Sequence, residues 1–227
     1  MFYYDSTMLI LIPAVIISFI AQMQISSTYS KYKRVGTRNG YTGQQVARMM
    51  LDEAGLFDIQ IQIVNQELGD HYSPSERILR LSPDVYNGSS VAAAGIAAHE
   101  VGHAIQHKES YKPIVVRNAI VPIVNIGSSF SWIVFFLGLV LGISKLTTIG
   151  IILFSGVVVF QLITLPVEFN ASSRALSILK SRNILYEDEA KEAKKVLKAA
   201  AMTYVAAVLH SISQLIRLLV ISNRNDD

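Results

Sequence analysis

Long apolar blocks are the feature that most limits how this chain can fold. Three of them cover about residues 8–25, 119–143 and 146–167. A helix rises about 1.5 Å per residue, so roughly 20 apolar residues span the hydrocarbon layer of a bilayer. Of the 227 residues, 51% are hydrophobic and only 16% charged, which is more apolar surface than one small core can bury. The sequence therefore predicts a multi-pass membrane protein.

The distribution of basic residues predicts an orientation. No Lys or Arg precedes the first block, which is the reverse of a cleavable signal peptide, so we expect a retained anchor. Basic residues follow that block directly, at Lys31, Lys33, Arg34 and Arg38. A second basic segment covers 174–198. If both are cytoplasmic, the second and third blocks form an outward hairpin, and the polar segments 26–118 and 168–198 share the cytoplasmic side.

A fourth block, about 199–221, is less apolar than the others. Polar residues interrupt it at spacings that share a helical face: Thr203, His210, Ser213, Gln214 and Arg217. Two interpretations remain open. The segment either spans the membrane with this face toward a partner, or lies along the membrane interface.

The polar region between the first two blocks has the pattern of a small α+β unit. Thr42 and the apolar residues after it predict a capped helix that Gly55 ends. Alternation over 57–63 predicts a half-buried strand, and 78–81 a second one. The residues 69–74 between them predict a turn.

A second helix in this region is rich in alanine and glycine. It is predicted from about Val91 through His107, with Ser89 or Ser90 as its N-cap. Small residues such as Ala98 and Gly102 let another backbone approach closely. This helix carries the most informative motif of the chain.

Residues 97–104 read AAHEVGHA, an HExxH pattern. Because His99 and His103 are four residues apart, both imidazoles lie on one helical face and can bind one tetrahedral zinc. Zinc lowers the pKa of water toward about 7. A carboxylate beside it, here Glu100, can take that proton and pass it to a leaving amine. The motif thus predicts hydrolysis of peptide bonds; the alternative, two histidines on a polar helix face, leaves their spacing unexplained.

A catalytic zinc needs a third protein ligand, and two glutamates compete for this role. Glu109 occupies the third-ligand position of HExxHxxGxxH, but Gln106 replaces the glycine that lets the chain turn back. Glu168 follows the third apolar block, where Pro166 can restart or kink the helix. Small residues share its face and suit packing against Gly102: Ala171, Ser172 and Ala175. We therefore favour Glu168.

At these residues the chain resembles the putative neutral zinc metallopeptidases, a family of small bacterial membrane proteins. The stretches that carry the resemblance are DVYNGSS at 84–90, AAHEVGHAIQH at 97–107 and PVEFNASSRAL at 166–176. The resemblance implies a gluzincin-like site with one Zn²⁺ per chain. His99, His103 and Glu168 would be its metal ligands, and Glu100 its catalytic base.

The resemblance also implies supporting residues. Related zincins often place an acid four residues after the third-ligand glutamate to orient a histidine; this chain has Ser172, whose hydroxyl makes a weaker bond. The strand over residues 77–82 is expected either to pair with substrate as a sheet edge or to be an ordinary core strand. The oxyanion-stabilising donor stays open among His71, Tyr72, His107, Tyr204 and His210.

The predicted fold class is a mainly α membrane protein. It has three to four transmembrane helices and a small α+β zincin-like unit that carries the HExxH helix. Five segments follow from this: an anchor (1–30), the zincin-like region (31–118), a transmembrane hairpin (119–167), a helical segment with the third ligand (168–198) and a transmembrane or interfacial helix (199–227).

The predicted function is a zinc endopeptidase of the cell membrane, with its site on the cytoplasmic side, that cuts membrane-associated or unfolded polypeptides. The alternative is a non-proteolytic zinc-binding scaffold or sensor, but Glu100 is needed for water activation rather than for binding zinc. A metal transporter is disfavoured because His99 and His103 lie outside the apolar blocks. Nucleic acid is excluded as a partner because the net charge is only +3 and the basic residues form no aromatic-laced patch.

Overall fold

The computed structural model describes residues 6–66 and 68–226, with side chains through residue 224. A 3-10 helix, Ser6–Ile10, precedes the α-helices and strands of this part of the chain. In order these are α1 (Ile12–Tyr32), α2 (Gly43–Glu53), β1 (Gln60–Ile63), β2 (His71–Ser73), β3 (Ile78–Leu81), α3 (Pro83–Asn87), α4 (Val91–Lys108), α5 (Lys112–Leu141), α6 (Ser144–Ser181) and α7 (Glu187–Asp226).

Among the described residues, four helices are long and apolar enough to cross a membrane: α1, α5, α6 and α7 up to Arg224. The weaker C-terminal block thus belongs to a helix that meets the same criteria as the others. α6 passes through Pro166 without ending, so the helix does not restart there. The predicted mainly helical architecture with candidate membrane spans is confirmed.

The chain divides into two compact units. The first, called the helical unit, comprises residues 1–22, 115–165 and 202–227. Within it α5 and α6 approach closely. A Cβ added at Gly150 would lie only 2.7 Å from the Cβ of Phe135. A small buried cluster holds the unit together: Phe135, Phe154, Val158 and Leu218.

The second compact unit, called the sheet unit, comprises residues 23–114 and 166–201. Its three strands lie in the order β1-β3-β2, with β1 parallel and β2 antiparallel to β3. Leu79 and Leu81 of β3 are fully buried. The interpretation of residues 77–82 as a substrate-pairing edge is therefore wrong. β3 is the central strand, and both of its edges already have partners.

Two other strand predictions need correction. The first strand is shorter than predicted, beginning at Gln60 rather than near residue 57. The turn predicted over 69–74 contains β2. The three-residue strand was missed because its polar sequence has neither the length nor the apolar alternation that identifies a strand.

The helix predictions in this unit hold. Thr42 and Gln45 form the reciprocal capping box at the start of α2, and Gly55 follows α2 with a φ of +66°. The Ser90 hydroxyl accepts a hydrogen bond from the Ala93 amide at the start of α4. Buried side chains of α2, β3, α4, α6 and α7 then form one apolar core, which holds the motif helix in place.

Candidate metal centre

α4 presents both motif histidines on one side. It is a regular helix between Val91 and Lys108, so His99 and His103 lie about one turn apart. Their side chains are only 14% and 11% exposed. The helix is thus rigidly packed where its imidazoles converge.

α6 supplies the third group because it packs tightly against α4. A Cβ added at Gly102 would lie 2.7 Å from the Ala171 carbonyl oxygen, so only glycine permits this approach. Ala171 and Ala175 are fully buried in the contact. The packing predicted for the small residues of α6 is confirmed. This packing of α6 on α4 places Glu168 beside His99 and His103.

The three side chains form a compact triangle. The Nε2 atoms of His99 and His103 are 3.1 Å apart. Glu168 Oε2 lies 3.2 Å from the first and 3.6 Å from the second. Zinc bonds of about 2.0–2.1 Å in tetrahedral geometry imply ligand separations of about 3.3 Å. The donor atoms and their spacing therefore fit a zinc ion.

The competing glutamate lies elsewhere. Glu109 is the C-cap residue of α4 and forms an ion pair with Arg174, with the oxygen 2.6 Å from the guanidinium nitrogen. Among the described residues, the three-ligand cluster contains Glu168 and does not contain Glu109.

Gln106 fixes the orientation of His103. Its side-chain nitrogen donates to the Val167 carbonyl at 2.8 Å and to Asn170 at 2.9 Å. The amide oxygen therefore faces His103 Nδ1, 3.0 Å away, and can only accept from it. With the proton on Nδ1, the Nε2 lone pair of His103 points at the other ligands, as metal binding requires.

His99 has a simpler support. The Ser172 hydroxyl lies 3.1 Å from its Nδ1 atom. This is the contact predicted from the residue four positions after Glu168. A neutral hydroxyl holds the ring less strongly than a carboxylate would.

Glu100 belongs to a different environment from the three candidate ligands. It is buried, and one carboxylate oxygen accepts a hydrogen bond from the Tyr72 backbone amide of β2 at 3.1 Å. Burial raises its pKa above the ordinary glutamate value, against the opposing effect of His99 and His103. A group of this kind, close to the ligands but outside their cluster, can exchange protons with a bound water.

The candidate oxyanion donors are distributed over both units. The Tyr72 hydroxyl lies 3.0 Å from His107 Nδ1, one turn beyond the motif, so this pair adjoins Glu100 through the Tyr72 backbone. His71 is exposed and bonds the Gly69 carbonyl. Tyr204 and His210 belong to the helical unit.

Comparison with known proteins identifies the family of this chain. Residues 7–223 match the model of the family described as "Putative neutral zinc metallopeptidase". This chain belongs to that family. The "Putative membrane protease YugP" of Bacillus subtilis (strain 168) is 48% identical over 210 residues, which is 92% of this chain and 93% of that protein. No solved structure matches the chain.

Sequence reasoning missed one supporting network of this metallopeptidase family member. Gln106 was considered only as a residue in place of a glycine, yet it is fully buried and connects His103 to α6. Asn170 accepts from Gln106 and also from Arg174. The three-residue spacing from His103 to Gln106, on the same helical face, was the available signal.

Proposed function

We propose that this protein is a zinc endopeptidase embedded in the cell membrane. It would hold one Zn²⁺ through His99, His103 and Glu168 in a zincin-like, gluzincin-like site, with Glu100 as general base. The triangle of donor atoms, with separations of 3.1, 3.2 and 3.6 Å, carries this proposal. A His-His-Glu set with an open fourth position is the ligand set of a catalytic zinc.

Each group of the site has a distinct proposed role. A zinc ion in this site supplies Lewis acidity, which lowers the pKa of water toward about 7. Glu100 takes a proton at its carboxylate and returns it to the leaving amine. Burial supports this role, because a carboxylate with a raised pKa is a better proton acceptor near neutral pH. Gln106 and Ser172 keep the histidine Nε2 lone pairs directed at the metal.

β2 is the strand edge best suited to a substrate backbone. It lies at the edge of the sheet, and its Tyr72 amide points at Glu100. A polypeptide added alongside β2 would bring its carbonyl groups toward the catalytic carboxylate. This assigns to β2 the role that the sequence had suggested for β3.

The proposed substrates are membrane-associated or unfolded polypeptides on the cytoplasmic side. The basic residues after α1 and along 174–198 support that side by the positive-inside rule. The predicted segments 31–118 and 168–198 would then lie together at the cytoplasmic membrane face, with the hairpin 119–167 and the helix 199–227 in the bilayer.

The test compares three detergent-purified proteins: wild type, Glu100→Gln and Glu168→Ala. We expect wild type to hold about one zinc and to cut an unfolded model protein. Glu100→Gln should keep zinc and be inactive, whereas Glu168→Ala should lose zinc. If all three bind zinc equally and none cuts, the proposal fails and a zinc-binding scaffold replaces it.

A further inference from the structure

The sheet unit contains a groove that the ligand cluster does not use. It runs between residues 169–180 of α6 and 190–201 of α7 and has a volume of about 680 Å³. On each helix the lining residues recur every three or four positions, so two facing stripes form its walls. Twelve helical residues are about 17 Å long, which matches about five residues of extended polypeptide.

One end of this groove lies at the metal ligands. Ser172 lines the groove, and the same hydroxyl contacts His99 Nδ1 at 3.1 Å. Phe169, which directly follows Glu168, lines it as well. A chain held in the groove would therefore extend from the metal centre along α6.

The charged lining of the groove is basic. Four lysines line it and no carboxylate does: Lys180, Lys191, Lys194 and Lys198. Lys191 forms an ion pair with Glu187 at 3.2 Å. In the part of the chain that the structure describes, the other three form no ion pair. Apolar side chains such as Leu176 and Leu197 line the groove between them.

We infer that this lysine groove binds the substrate polypeptide on one side of the scissile bond and selects acidic side chains there. The inference rests on the proposed peptidase function. Ammonium groups without carboxylate partners attract acidic side chains, and the apolar lining accepts the intervening residues. From Lys191 to Lys198 the charges spread over about 10 Å of helix, a spacing that suits successive side chains of an extended chain.

An anionic lipid headgroup is the competing occupant, since lysines beside membrane helices attract such lipids. The headgroups of one leaflet occupy a single layer, whereas these lysines follow the groove away from the metal ligands. A polypeptide therefore fits the arrangement better. The experiment below separates the two occupants.

The experiment measures kcat and KM for two pairs of matched fluorogenic peptides. In each pair one peptide has three Asp residues and the other three Asn residues on the same side of the cleaved bond. The two pairs differ in which side carries these residues. Wild type, Lys180→Gln/Lys194→Gln and the control Lys195→Gln are compared in discs of uncharged phosphatidylcholine. Lys195 lies on the same helix but outside the groove, packed over Tyr32.

We expect wild type to have a higher kcat/KM for the peptide with Asp on one side of the cleaved bond than for its Asn counterpart. In the double variant this ratio should fall by about three- to tenfold, through a higher KM for the acidic peptide. The control should keep the preference. Raising salt from about 50 mM to about 500 mM should reduce it in wild type, because the interaction is electrostatic. Lys194→Glu should transfer the preference toward a peptide with three Lys residues.

Two results would overturn the inference. One is an equal preference in wild type and the double variant. The other is an effect of the lysines that appears only with anionic lipid in the discs and is equal for both peptides, which would assign the groove to lipid.

If wild type cuts no peptide at all, the proposed function fails. Binding of a labelled acidic peptide, measured by fluorescence anisotropy, then tests the inference about the groove. Weaker binding to the double variant than to the control supports the inference; equal binding overturns it.

Discussion

The sheet unit and the helical unit bury their apolar side chains to different extents. Among the described residues of the sheet unit, 28 buried ones form one core. In the helical unit the corresponding cluster has four, and apolar side chains such as Ile123 and Val140 are 70% and 82% exposed. The sheet unit buries its core side chains internally, whereas the helical unit has an exposed apolar surface of the kind expected for helices that face lipid.

This difference explains where chemistry can be placed. A metal site requires donor atoms held within a few tenths of an ångström, and the dense core around α4 supplies that rigidity. The exposed helices are instead long and apolar enough to anchor the protein in a membrane. Substitutions matched between the two units test this division.

The largest effect is expected for Glu100→Gln, which removes the proposed general base without removing a proposed ligand. We expect cleavage of an unfolded protein to fall by about 10²–10⁴-fold, with zinc content unchanged. Glu76→Gln is the matched control, because that exposed glutamate forms an ion pair with Arg80 on the sheet surface, away from the metal ligands. Loss of zinc in Glu100→Gln would contradict the separation of base from ligands.

Core truncation should affect the sheet unit far more than the helical unit. Leu81→Ala removes a fully buried side chain and should lower the free energy of unfolding by about 2–5 kcal/mol. Val140→Ala, at an 82% exposed position, should change it little. Thermal unfolding in detergent measures both. Similar losses would mean that Val140 is buried in an interface.

Glycine substitutions sharpen the comparison. Gly102→Ala places a Cβ 2.7 Å from the Ala171 carbonyl, so α4 and α6 must separate, at a cost of about 1–3 kcal/mol and with weaker zinc binding. Gly156→Ala in the helical unit meets nothing within 4 Å and should be neutral or stabilising. Isothermal titration with zinc and thermal unfolding measure the two effects. Unchanged zinc affinity in Gly102→Ala would refute the role of this contact.

Within the metal centre, the two histidine supports should differ. Gln106→Met keeps the volume but removes the acceptor for His103 Nδ1, so zinc affinity should fall by about 10–100-fold. Ser172→Ala removes one hydroxyl contact to His99, whereas Gln106 is also anchored to Val167 and Asn170, so the serine variant should cost less. Competition with a fluorescent chelator gives both affinities. A larger loss for Ser172→Ala would reverse the ranking.

The smallest effect is expected from the exposed face of the sheet unit. The Arg80 guanidinium lowers the pKa of Glu76 to about 2, so this carboxylate stabilises the folded state above the ordinary glutamate pKa. That contribution is lost as pH falls from about 4.5 through about 2. The difference in unfolding midpoint between wild type and Glu76→Gln should therefore be small at pH 7 and shrink on acidification, since the pair is exposed.

The sequence determined the parts that depend on neighbours along the chain. Four-residue spacing placed His99 and His103 on one face, and Ser90 and Thr42 marked helix starts through local hydrogen bonds. Apolar block length predicted the candidate spans. Small residues after Glu168 even predicted the contact with Gly102, because helix packing depends on side-chain size at a fixed period.

Only the tertiary structure decided which distant groups meet. Glu168 reaches His99 from 69 residues away, and Glu109 is instead taken up by Arg174. Strand order made β3 central and gave β2 the edge beside Glu100, although β2 has no apolar pattern of its own. The network of Gln106 likewise needs α4 and α6 side by side. Such contacts depend on the path of the whole chain, which periodicity and residue type along a single element do not encode.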